Sequence, residues 1–257
     1  MSSAASGARA RTATTSASSN RAPGTPTTTS ASAAAAQRKL RILCLHSFRT
    51  NAKVFETQMS MARWTSEYAE TCEFVVIDAP HAQSGEAPAD VVGFFGDGEY
   101  REWWNAKKRD DADAEAGMEY VGLERSLEAI ETVCEENGPF DGLLGFSQGA
   151  TLCAIALATP RIAKRFGFGV LVSGMKSRAT QTRNLDYGSI ACPTLHIIGK
   201  NDRVMPVVAS EGLLKSMTSS ETTRVAHDGG HSVPRLDEHG EPVLRKFLDA
   251  YYASGLV

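Results

Sequence analysis

The sequence predicts an α/β protein, with a mostly parallel central sheet and helices on both faces. Two observations carry this. From Leu40 onward, short apolar runs alternate with helix-length amphipathic segments, the pattern of βαβ units that build a parallel sheet covered on both sides. Apolar residues make up 42% of the 257 positions, enough for a sizeable core in one full-sized domain.

Residues 1–37 stand apart from this pattern. They are almost all Ala, Ser and Thr, with Arg9, Arg11 and Arg21, and the first acidic residue of the chain is Glu56. With no large apolar side chain after Met1, this stretch cannot repay the entropy of ordering itself. It reads either as a disordered extension or as a transit peptide, and the folded domain is expected over 38–257.

Within that domain, Leu40–Leu45 (LRILCL) and Phe74–Ile77 (FVVI) read as buried strands, and a helix carrying Phe55, Met59 and Trp64 follows the first. The segment 81–117 fits neither the strand nor the helix period. Its length suggests a lid or pocket wall. Trp103 and Trp104 within it, with Phe94 and Phe95, either line a substrate pocket or pin the segment to the core. Leu123, Leu127, Ile130 and Cys134 then recur on one helical face, as do Val243, Leu244, Phe247, Leu248 and Tyr251 near the C-terminus. Gly142–Phe146, Phe168–Val172 and Thr194–Ile198 complete the buried strands.

Charge and cysteine usage exclude several classes. The net charge is −3 and no face-length run of Lys or Arg occurs, so nothing points to nucleic acid. The run Lys107-Lys108-Arg109-Asp110-Asp111 reads as solvated. No apolar stretch approaches the roughly 20 residues needed to cross a bilayer. Five cysteines without CxxC spacing read as reduced core thiols, in keeping with an intracellular compartment. His227 and His231 are four apart, but across glycines rather than on a helix, and no Cys joins them, so no metal is expected.

The strongest chemical signal is Gly145-Phe146-Ser147-Gln148-Gly149, a G-x-S-x-G sequence between an apolar strand and a small-residue helix. That context is the strand–elbow–helix of the α/β-hydrolase fold. Ser147 must stand clear on a strained turn, and side chains at 145 and 149 would collide with neighbouring backbone. The Gln148 amide, at the start of the new helix, would face a developing oxyanion.

A serine nucleophile needs a base and an orienting acid, in the chain order Ser, Asp or Glu, His for this fold. Of the four histidines downstream, His196 lies in a strand-like run and His239 in a polar helix start. His227 and His231 share the loop HDGGHSVP, and His231, after the two glycines, is the expected base. Asp202, just past the strand THII, is the expected acid. Asp228 is too close in sequence to reach the far ring nitrogen easily, and Asp186 precedes the strand. The loop CLHSFRTNA after the first strand should supply a second oxyanion donor, from the backbone N–H of Phe48 or Ser47.

Taken together, LCLHSFRTNA, IDAPH, REWW, LLGFSQGA, GKNDRVMP and HDGGHSVP resemble the FSH-type family of serine hydrolases, over about residues 39–252. The resemblance implies a triad of Ser147, Asp202 and His231, with the Phe48 and Gln148 amides as oxyanion hole. It further implies a cofactor-free carboxylesterase acting on small-molecule aliphatic acyl esters, in cytoplasm or nucleus. A transit peptide over 1–37 would instead direct the chain to a chloroplast or mitochondrion. The resemblance leads one to expect glycine after His46, where this chain has Ser47, and a Cβ there strains the turn if φ is positive.

Two rival readings share much of this logic. Acyl-protein thioesterases and lysophospholipases use the same residue pattern. A non-catalytic binding protein on the same fold normally lacks a triad residue, whereas here all three positions have candidates.

Overall fold

The computed structural model describes residues 38–108 and 117–254. The expectations for residues 1–37, and for the charge run beyond Lys108, lie outside the described residues. The elements run β1 (Leu40–Leu45), α1 (Ala52–Met61), α2 (Trp64–Glu67), β2 (Cys72–Ile77), β3 (His81–Ala82), α3 (Ala89–Phe95), β4 (Arg101–Glu102), β5 (Asn105–Lys108), β6 (Met118–Val121) and α4 (Leu123–Asn137). There follow β7 (Gly142–Phe146), α5 (Gln148–Leu157), α6 (Pro160–Ala163), β8 (Phe168–Val172), β9 (Thr194–Gly199), α7 (Val207–Ser216), β10 (Thr222–His227) and α8 (Gly240–Ser254).

Six strands form one parallel sheet in the order β10-β9-β8-β7-β1-β2. Every residue of β7, β8 and β9 is buried, while β2 and β10 at the edges are only partly so. That is why the central strands read as unbroken apolar runs.

Alternate side chains feed two cores, one on each face. Leu43, Leu45 and Leu143 pack with Leu127 and Ile130 of α4 and with Ala150 and residues 152–157 of α5. Ile42, Cys44, Leu144 and Phe146 pack with Phe55 and Met59 of α1, Trp64 of α2, and Leu244 and Leu248 of α8. The expected α/β-hydrolase architecture is therefore present. All ten residues of α5 are buried, so this helix is covered all round rather than amphipathic.

Two expectations need correction. Trp64 does not share a helix with Phe55 and Met59: Arg63 adopts φ 67° and starts the separate turn α2. The 81–117 segment is also more regular than its sequence suggests. β3 pairs antiparallel with β4, β5 pairs antiparallel with β6, and α3 lies between the first two. These strands are two to four residues long and half polar, so they carry no period that a sequence can reveal.

The chain leaves β1 for one edge through β2, then returns to the other side of β1 through β7. The carboxyl ends of β1 and β7 thus flank the switch point, where open α/β sheets form their crevice.

Three histidines, His46, His196 and His227, are buried in this framework, and two of them are strongly shifted. Burial lowers His46 from 6.5 to about 4, and it does the same to His196. His46 and His196 are therefore neutral in the fold but take up a proton near pH 6.5 when unfolded. Stability should be complete above pH 6.5 and fall as pH drops toward 4, by roughly 2–3 kcal/mol per histidine. Thermal melts between pH 7.5 and 4.5 should show this fall, and His196→Gln should remove about half of it. A melting temperature constant over that range would refute the account.

Candidate active site

Ser147 follows β7 as the N-cap of α5, with φ 56° and ψ −112°, a positive-φ backbone that an L-residue holds only when its surroundings enforce it. Its amide donates to Val172 O at 2.9 Å, and its carbonyl accepts from Thr151 N at 3.0 Å, inside the first turn of α5. The glycines either side make the elbow possible. A Cβ on Gly145 would lie 2.2 Å from Gly149 O, and one on Gly149 would lie 2.2 Å from Leu45 O and 2.6 Å from His46 O. The start of α5 is thus pressed directly against the end of β1.

His231 projects from the loop after β10, its ring 5.0 Å from that of Phe146. Its Nε2 lies 2.9 Å from Ser147 Oγ and its Nδ1 lies 2.8 Å from Asp202 Oδ2. The loops after β9 and β10 are bound to each other: Lys200 N donates to His227 O at 2.8 Å, and Asn201 Nδ2 to Asp228 O at 2.6 Å. This fixes Asp202 and His231 as a unit.

Asp202 also receives Ser173 Oγ at 2.9 Å on Oδ2, and the amides of Val204 and Met205 at 2.9 and 2.7 Å on Oδ1. Burial alone would raise its carboxyl. The Met205 amide, His231 and Ser173 outweigh that and hold it below the usual carboxylate range. An ionised Asp202 requires the proton on Nδ1 of His231, which leaves Nε2 to accept from the serine hydroxyl.

The other candidates stand elsewhere. His227 is buried, and its Nδ1 accepts from Gly229 N at 3.2 Å. Asp228 is exposed and pairs with Lys200 at 2.7 Å. Asp186 caps the turn Tyr187–Ser189 through Gly188 N, and His239 is exposed beside Glu238. Of the residues predicted for the site, the structure brings together Ser147, Asp202 and His231.

Gln148 opens α5, so its N–H has no partner within the helix. Phe48 lies in the turn after β1, its ring under the Arg49 guanidinium at 4.6 Å. Ser47 is not strained, because the positive φ in this turn falls on Arg49, at 49°.

The pocket expectation for Trp103 and Trp104 is corrected. They are 0% and 4% exposed, and Trp104 stacks on Tyr120 with ring centroids 4.6 Å apart. Both are packed into the core rather than open to a substrate.

Two residues of this neighbourhood escaped the sequence reading. Ser173, at φ 52° and fully buried, is the hydroxyl on Asp202. Its only sequence signal is a Ser-Gly pair ending the apolar run of β8. His46 accepts the Ala79 amide on Nε2 at 3.0 Å, so Nδ1 donates to Ser47 O at 2.8 Å and holds the turn after β1.

Residues 35–243 match the family described as serine hydrolase (FSH1). An esterase of Drosophila melanogaster, CG5412, is 35% identical over 218 residues, covering 82% of this chain and 74% of that one. Esterase OVCA2 of Danio rerio is 34% identical over 221 residues, covering 78% and 92%. Among solved structures, esterase PE8 aligns with a TM-score of 0.54 at 20% identity, covering 83% and 93%. Acyl-protein thioesterase 2 of Zea mays aligns with 0.54 at 18%, covering 84% and 95%; at such identities these likenesses speak for the fold alone. The chain belongs to the FSH1 serine hydrolase family.

The elbow geometry makes a paired prediction. Ala is normally favoured over Gly inside a helix by about 1 kcal/mol. Gly212→Ala in α7, where a Cβ meets nothing within 4 Å, should raise stability by about that amount. Gly149→Ala should lower it by about 1–3 kcal/mol, because only backbone can yield to the new atom. Denaturant midpoints decide this, and a stabilised Gly149→Ala would contradict the contact.

Proposed function

We propose that this chain is a carboxylesterase that hydrolyses aliphatic acyl esters through an acyl-enzyme on Ser147, with His231 as base and Asp202 as its orienting acid. The observation that carries this is the pair of hydrogen bonds on one imidazole, 2.9 Å to Ser147 Oγ and 2.8 Å to Asp202 Oδ2.

The chemistry follows from the tautomer. As Ser147 Oγ attacks the ester carbonyl carbon, its proton passes to His231 Nε2, and Asp202 stabilises the imidazolium. The carbonyl oxygen becomes an oxyanion, which the amides of Phe48 and Gln148 would bind. Collapse expels the alcohol, which leaves with the proton held on Nε2. Water then attacks the acyl-serine with the same histidine as base, restoring the hydroxyl and releasing the carboxylic acid. The reaction needs no cofactor. The aliphatic preference rests on the family likeness, and relatives named esterase support the bond type.

A panel of p-nitrophenyl esters of increasing chain length, with thioesters of the same acyl groups beside them, tests the substrate class. Preference for the thioesters would move the enzyme to the thioesterases. On the best ester, Asp202→Asn should cut kcat by about 10²–10⁴ by favouring the wrong tautomer. Asp228→Asn should change it less than about twofold, as expected of an exposed ion pair. The reverse ranking would remove Asp202 from the mechanism.

A further inference from the structure

We propose that residues 101–104 form a strap that fixes the spacing of the two oxyanion donors, with the Trp103 indole and the Gln148 carboxamide as its positioning groups. This rests on the reading of Ser147, Phe48 and Gln148 given above.

One side of the strap holds the turn that carries Phe48. Arg101 N donates to Thr50 O at 2.7 Å, and Trp103 Nε1 donates to His46 O at 2.8 Å. Between these, the Glu102 carboxylate accepts from Arg49 Nε at 2.9 Å, with the Glu102 side chain 2% exposed. Arg49 also donates to Glu86 O at 2.7 Å and to Ser84 Oγ at 3.2 Å. The turn is therefore gripped at 46, 49 and 50, on both sides of Phe48.

The other side holds the start of α5. The Gln148 carboxamide accepts from Trp103 N at 3.0 Å and donates to Trp104 O at 2.9 Å. It completes the backbone pairing of a two-residue stretch as a neighbouring strand would. Using oxygen and nitrogen together fixes its orientation, since a flipped amide would oppose like with like. Gln148 thus offers its main-chain amide to the oxyanion while its side chain anchors that same residue to the strap. The strap itself is tied to α4, where Ser126 Oγ donates to Trp103 O, and to β6 by the stacking of Trp104 on Tyr120.

None of these bonds touches Ser147, His231 or Asp202. A loosened strap should therefore leave the serine activated and misplace the donors that stabilise the tetrahedral intermediate. Misplacement by an ångström or less is enough to cost 10- to 100-fold in rate.

Trp103→Phe keeps the aromatic packing but removes the bond to His46. Gln148→Met keeps the side-chain length but removes both bonds to the strap, and it tests the same idea if the first variant folds poorly. Each is assayed as full-length protein for kcat and KM on a p-nitrophenyl ester, per active site titrated with a fluorophosphonate. Each is also assayed for affinity toward an alkyl trifluoromethyl ketone, whose serine adduct carries an oxyanion. The expected result is a full titre and a KM within about twofold. kcat should fall about 10- to 100-fold, and ketone affinity should weaken by a similar factor. A kcat per titrated site equal to that of the wild type, or an unchanged ketone affinity, would overturn the strap. Wild-type protein that neither hydrolyses the ester nor binds the ketone would instead overturn the reading on which it rests.

Discussion

The contact that the rest of the site depends on is the one between the Gly149 backbone and the carbonyls of Leu45 and His46. It brings the helix that starts at Gln148 against the strand that ends at Leu45, with no side chain between them. Three consequences follow from one missing Cβ. The serine is forced into its positive-φ conformation, the helix start faces the crevice at the switch point, and the turn after β1 is drawn beside it. Close packing makes this contact intolerant of even one added carbon.

Around that contact four buried polar side chains are engaged by hydrogen bonds. His46 bridges Ala79 N and Ser47 O; Asp202 takes four hydrogen bonds; Glu102 meets Arg49; Gln148 meets Trp103 and Trp104. Any of them left alone in the core would cost more than its bond contributes. Buried and mutually satisfied, they permit one arrangement of the loops at the carboxyl edge of the sheet. Apart from Asp202, the side chains that make the site rigid do not take part in the chemistry themselves.

The sheet was legible in the sequence because β7, β8 and β9 are covered on both faces and so are written as apolar runs. Ser147 was legible because its two flanking glycines answer to a backbone collision rather than to preference. His231 could be told from His227 only through the glycines before it, and Asp202 from Asp228 through its place after a strand and its distance along the chain from His231. The residues that remained hidden act through long-range contacts. Ser173 looks like any strand-end serine, and Trp103 reads equally as pocket wall or packing until the bonds to His46 and Gln148 are seen. The short strands of 81–121 were hidden for another reason: pairs of two to four half-polar residues leave no periodic trace.

The central claim is that the His231–Asp202 pair makes Ser147 a nucleophile. The most direct measurement is peptide mass mapping after treatment with a fluorophosphonate. The account predicts a single adduct, on the peptide carrying Ser147, that is lost in His231→Ala. An adduct confined to another residue, or ester hydrolysis by a protein that takes up no reagent, would contradict it.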